Sequence, residues 1–319
     1  MTLALVLSGG GANGAFEAGV VAAVEEAGLR PAVYSGTSAG ALNAAGLAVG
    51  IDAARLAAVW STVTAGDVFR LRRDVGRLLR LEGLLGRASN VGERLLDAVG
   101  WTWLLDTTPL RRTLQRVLGG HRVAVRDGVV CVVSAVEQAS GALVRFTTSP
   151  PPPHRRDPRY RVGDLDVDHL LASAAIPLLF RPGDVAGAAY WDGGLVAHTP
   201  LAPALAYEPE RVIVVTTATR ERPAPPPRSL GEAIGLLIDN LLRFSLDNDL
   251  ARARQVNELA RAAPQATTRR VVDFLVVEPT GLDLGSSLDF APELMRRRLA
   301  LGREVGAAAI ADWQAAGRL

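Results

Sequence analysis

The pentapeptide Gly36-Thr37-Ser38-Ala39-Gly40 constrains this chain more than any other stretch. It follows the short apolar segment 31–35 and opens the alanine-rich run 41–47, which predicts a strand turning sharply into a helix at the serine. Glycines at 36 and 40 permit the turn, and the Ser38 hydroxyl is left exposed above the sheet, where a nucleophile would stand. A helix starting there also points unpaired N–H groups and the positive end of its dipole at developing negative charge. Taken alone, the pattern equally describes a small-residue turn before a packed helix. The rest of the chain has to separate the two.

Upstream, an apolar strand over residues 3–7 runs into Gly9-Gly10-Gly11-Ala12-Asn13-Gly14, and helical spacing begins at Ala15. Strand, glycine loop and helix make an anion cradle. The G-x-G-x-x-G spacing would suit a dinucleotide, but that reading needs an acidic residue about 20 residues further on to hold a ribose. Segment 31–35 has none and ends instead in the serine pentapeptide. The loop therefore serves Ser38, offering backbone N–H groups to an oxyanion.

Composition removes several chemistries. The 319 residues carry a net charge of only +2, so no nucleic-acid signature is present, and all 35 basic residues are arginine. Without lysine there is neither a Walker-type phosphate clamp nor a Schiff base. The single cysteine, Cys131, sits in the apolar run 129–133 and reads as a buried small hydrophobe, with no disulfide or cysteine metal site. The first residues lack a basic stretch and read as a strand instead of a leader. No apolar run reaches the roughly 18 residues of a spanning helix. The expectation is a cytoplasmic protein with peripheral membrane contact left open, and with no sequence signature of its oligomeric state.

Further strands are expected over 129–136, 142–147, 188–192, 211–217 and 271–277, with helices over 166–175, 230–244 and 291–316. Residues 66–104 combine leucine periodicity with seven arginines, five acids, Trp101 and Trp103. They read as a helical insertion with a solvated basic face, or as an amphipathic lid that meets lipid.

Serine needs a base within hydrogen-bond reach. Asp192 ends a short strand at Asp192-Gly193-Gly194, where active-site residues of open α/β sheets collect. Among the four histidines only His198 follows Asp192, and six residues is an awkward separation for a Ser-His-Asp triad, whereas a Ser38–Asp192 dyad needs no histidine.

In order and spacing, the glycine loop 9–14, the pentapeptide 36–40, Ala172-Ser173-Ala174-Ala175-Ile176-Pro177 and Asp192-Gly193-Gly194 resemble the patatin-like phospholipases, and segment 104–110 is similar to one that precedes a helix in bacterial members. The resemblance covers roughly 1–280 as one acyl hydrolase domain, with 66–104 as insertion or lid and 281–319 as a helical extension packed on the same domain. It implies a three-layer α/β/α fold with a mostly parallel central sheet. It also implies lipid acyl hydrolysis of phospholipase A or esterase type, without metal or cofactor, on a lipid or fatty-acyl ester. Ser38 would be the nucleophile, Asp192 the general base, and Gly10, Gly11 and Ala12 the oxyanion hole. Gly9, Asn13, Gly14, Gly36, Gly40, Gly193 and Gly194 would complete the motifs.

Two departures stand out. The family commonly has a basic residue where Asn13 stands, and bacterial members often have asparagine near Ala197 and His198. Loss of a cation beside the oxyanion loop removes favourable electrostatics, so reduced or altered activity is expected. A catalytically silent binding protein that keeps the fold is the alternative from another class, and a triad esterase of α/β-hydrolase type is the alternative within catalysis.

Overall fold

A computed structural model describes residues 2–72, 102–218, 226–227, 247–248, 250–263, 265, 271–279 and 281–319. Apolar runs without polar alternation need cover on both faces, and here they form the centre of a nine-stranded sheet. Strands β12 (Asp273–Val277), β11 (Arg211–Val215), β1 (Leu3–Leu7), β2 (Val33–Thr37) and β5 (Val130–Glu137) lie side by side in that order, all parallel. Strand β5 also pairs antiparallel with β10 (Ala188–Asp192), which pairs in turn with β9 (Gly183–Val185). The hairpin partner β6 (Leu143–Thr147) pairs with β5 and carries β7 (Tyr160–Val162).

The alternation of β1 divides the two helical layers. Leu3, Leu5 and Leu7 pack with α1 (Gly14–Glu26), α2 (Ala39–Val49) and α3 (Ala53–Thr62), and with the C-terminal helix α8 (Pro292–Ala315). Ala4 and Val6 face the opposite layer, built from α7 (Leu201–Leu205) and a helical stretch at 250–262. A mostly parallel sheet with helices on both sides is the three-layer α/β/α arrangement expected.

Register on β5 brings the motifs together. Residues 132–134 pair with both β2 and β6, and residues 135–136 with both β6 and β10. Strands β2 and β10 must therefore share one edge of β5, meeting end to end. Thr37 stands opposite Ser134, and Asp192 opposite the next residue, Ala135. The two chain segments leave the sheet at one point from opposite directions.

The insertion expected at 66–104 departs from a helical reading at both described ends. After α4 (Ala65–Val68) come β3 (Arg70–Leu71) and β4 (Trp103–Asp106), which form a second, three-stranded sheet with β8 (Leu178–Phe180). β4 is fixed by pairing with a segment some seventy residues distant, which local periodicity cannot report. Residues 73–101, with Trp101, lie outside the described residues, as does the helix expected over 230–244.

Candidate active site

At the end of β2 the chain reverses through Ser38, whose φ of 54° and ψ of −128° are rarely adopted by a residue with a side chain. The turn is closed by contact with its neighbours. A Cβ on Gly40 would come within 2.1 Å of the Ser8 carbonyl oxygen, and one on Gly36 within 2.3 Å of that of Gly40. The Ser38 N–H donates to Ser173 Oγ at 3.0 Å, and the Ser173 hydroxyl donates to the Ser134 carbonyl at 2.6 Å. Ser173, on α6 (Val167–Ser173), thus ties the elbow to β5.

The Ser38 hydroxyl lies near the Asp192 carboxyl and favours its ionised form. Oδ1 of that carboxylate also accepts the Gly194 N–H at 2.7 Å, and the Asp192 N–H donates to the Ala175 carbonyl at 2.9 Å. Both side chains are buried. Burial pushes the Asp192 carboxyl up to about 6, against the opposing influence of the Ser38 hydroxyl and the Gly194 N–H.

Gly10 and Gly11 have φ of 134° and 55°, a backbone that residues with a side chain rarely adopt. Neither N–H is engaged by an acceptor among the described residues. Ala12, expected as a third donor, differs: its N–H is bonded to the Ser287 carbonyl at 2.7 Å. Gly9 donates to the His198 carbonyl and Asn13 to that of Gly10. Beneath the loop, the fully buried Glu17 accepts from Asn43 Nδ2 at 2.9 Å and Ser8 Oγ at 3.3 Å, and Trp60 Nε1 donates to Asn43 Oδ1 at 2.7 Å. Burial holds the Glu17 carboxyl well above its usual range.

From Ser38 an apolar cavity runs between α2, α3 and α5 (Thr108–Leu118). Leu42, Trp60, Leu114, Phe69, Phe180 and Phe290 are among its walls, and its empty volume, counted to the open mouth, is about 910 Å³. A hydroxyl near a buried carboxyl, with a glycine loop whose Gly10 and Gly11 N–H groups are unengaged among the described residues lining the same apolar cavity, has the groups that acyl transfer requires.

A model of the patatin-like phospholipases matches residues 5–205, more than half the chain. The chain belongs to the patatin-like phospholipase family. Two solved structures are similar to it. VipD from Legionella pneumophila is 15% identical with a TM-score of 0.49, over 98% of this chain and 67% of VipD. The type III effector protein ExoU is 18% identical with a TM-score of 0.42, over 98% of this chain and 53% of ExoU. Among curated proteins, none matches.

The two departures from the patatin-like pattern have defined places. Asn13 is buried at the start of α1, and its Oδ1 meets no partner among the described residues. His198 is buried against the glycine loop: a Cβ on Gly9 would lie 3.2 Å from the His198 Nδ1 and 2.9 Å from the Ser38 Cβ. Burial lowers this imidazole to about 4, so it is neutral at pH 7. No helix among the described residues is long and apolar enough to cross a membrane. The grouping His121, Asp166 and Asp168 could offer metal-type ligands, but Arg111 already pairs with Asp168, and none of the three belongs to the Ser38 site.

Sequence reasoning named the segment holding Ser173 but gave that residue no task, and passed over Glu17, Asn43 and the cavity aromatics. One signal was available: Glu17 and Asn43 are polar positions inside otherwise apolar helical runs, where an unpartnered side chain would be costly.

Proposed function

We propose that this member of the patatin-like phospholipase family is a lipid acyl hydrolase of phospholipase A or esterase type that works through a Ser38–Asp192 dyad. The observation that carries the reading is the meeting of Ser38 and a buried Asp192 at consecutive register positions of β5, with the hydroxyl near enough to act on the carboxyl, beside an apolar cavity that Ser38 lines. Asp192 removes the Ser38 proton as Oγ attacks the ester carbonyl, and the Gly10 and Gly11 N–H groups hold the oxyanion. The alcohol departs with a proton returned from Asp192, leaving an acyl chain on Ser38 and in the cavity. Asp192 then takes a proton from water as its oxygen attacks the acyl carbonyl, and returns that proton to Ser38 Oγ as the serine ester bond breaks and the fatty acid leaves.

A triad is disfavoured because an imidazole relay would stand between serine and acid, whereas Ser38 and Asp192 follow strands that meet at consecutive positions of β5 and the hydroxyl acts on the carboxyl's titration. The acyl hydrolase domain is proposed to span 1–280, with 281–319 packed on it, and the protein to meet lipid peripherally.

Ser38→Ala is expected to abolish hydrolysis of p-nitrophenyl butyrate with unchanged circular dichroism, and Asp192→Asn to lower turnover at least ~100-fold. Wild-type turnover in a folded Ser38→Ala protein would rule the dyad out. A loss on His198→Ala that spares Asp192→Asn would install the triad in its place.

A further inference from the structure

The family match ends at residue 205, yet a segment some eighty residues later lies on the site. The Ser287 carbonyl accepts the Ala12 N–H and stands so close to Gly11 that a Cβ there would come within 2.3 Å of it. Leu288 and Phe290 line the cavity with Ser38, and the Phe290 ring packs edge-on against Phe69 at 6.2 Å. Consecutive glycines are the least self-ordering residues in a chain, so the pose of Gly10 and Gly11 has to be held by partners. Thr217 Oγ1, donating to the Gly9 carbonyl at 2.6 Å, holds one end. Ser287 holds the other.

One side chain fastens the strap. Arg298 on α8 is only 1% exposed. Its Nε donates to the Leu284 carbonyl at 2.7 Å, Nη1 to that of Asp289 at 2.8 Å, and Nη2 to that of Ser286 at 2.8 Å. A planar fork holds its donors in fixed directions and so orders three carbonyls in one geometry, which a compact ammonium on a flexible stem does less rigidly. Burial lowers the guanidinium to about 10, opposed by the charges of Asp289 and Asp283, so it stays charged at pH 7.

Arg298 is itself fixed relative to the glycine loop. A Cβ on Gly302 would come within 2.0 Å of the Phe16 carbonyl oxygen, and one on Gly19 within 2.2 Å of that of Leu299. The backbones of α8 and α1 therefore touch about one turn beyond Arg298, and α1 begins at Gly14, directly after the loop.

We propose that Arg298 is a positioning residue for catalysis: by fastening residues 284–289 it holds the Ser287 carbonyl on Ala12, aims the Gly10 and Gly11 N–H groups at the oxyanion of Ser38, and keeps Leu288 and Phe290 as cavity wall. The catalytic part of the inference rests on the Ser38–Asp192 reading. It makes the family-matched segment incomplete as a catalyst without the C-terminal helix.

The test uses the full chain with Arg298→Met, and with Arg298→Lys in case the former does not fold. Two quantities are read: kcat and KM for p-nitrophenyl butyrate, and amide hydrogen exchange in a peptide spanning 9–16. A misplaced oxyanion loop predicts kcat lowered at least ~10-fold with KM within about twofold. Exchange at Ala12 should quicken while peptides from β1 and β5 stay protected. Wild-type kcat in either folded variant, a change in KM alone, or unaltered exchange over 9–16 would overturn the proposal. If the wild-type protein hydrolyses no ester, the dyad reading has failed by itself, and the exchange arm still decides whether Arg298 braces the loop.

Discussion

Asp192 is under two opposed demands. As a base it must be ionised, while burial raises its carboxyl to about 6 and so favours the neutral form. On the proposed mechanism kcat/KM rises as pH passes through about 6 and is level above it. Stability runs the other way. The folded value lies above the unfolded value near 3.8, so the native state holds the extra proton, and stability is greatest below about 4 and falls as pH rises through about 6. Asp192→Asn cannot ionise and is predicted to be inactive yet more stable than wild type by up to ~3 kcal/mol at pH 8. Urea unfolding should show the gain shrinking towards zero at pH 4, and a gain that does not vary with pH would contradict the assignment. At this scale the places of Ser38 and Asp192 at strand ends were legible because each sits in a contiguous motif that turns the chain out of a sheet. Ala12 was misread because the carbonyl occupying its N–H belongs to Ser287, on a segment joined to the loop only by folding.

Strand β5 sets the distance between the two motifs, since Ser134 and Ala135 receive the ends of β2 and β10 in consecutive register positions. The strand itself was readable from its β-branched run. Its pairing was not, because register between strands remote in sequence leaves no local periodicity. The same limit hid the second sheet, whose strands span two to four residues. That sheet contributes to the cavity wall: Phe69, just before β3, and Phe180, in β8, line it, while Leu71 and Leu178 are 60% and 54% exposed. Leu178 is also held at a φ of 65°, an unusual backbone for a leucine left in water. Exposed apolar side chains on a sheet that walls an apolar cavity suit contact with a bilayer surface. Replacing Leu71 and Leu178 together with aspartate is predicted to slow hydrolysis of phosphatidylglycerol vesicles about tenfold, on the scale of losing buried leucine area, and to spare p-nitrophenyl butyrate. Equal losses on both substrates would make this sheet structural.

Over the whole molecule, three layers and a mostly parallel sheet follow from apolar runs that need cover on both faces, and that much was legible in the sequence. The cavity was not, since its walls come from helices α2, α3 and α5, the second sheet and the strap before α8, which meet only in the folded chain. The fold brings these segments to one serine, and the chemistry of that serine is the central claim. Its most direct measurement is reaction with a fluorophosphonate followed by mass mapping of the modified peptide. One adduct is expected, on the peptide carrying Ser38, absent in Ser38→Ala and formed at least ~100-fold more slowly in Asp192→Asn. An adduct on another residue, or a folded wild-type protein that stays unmodified, would contradict it.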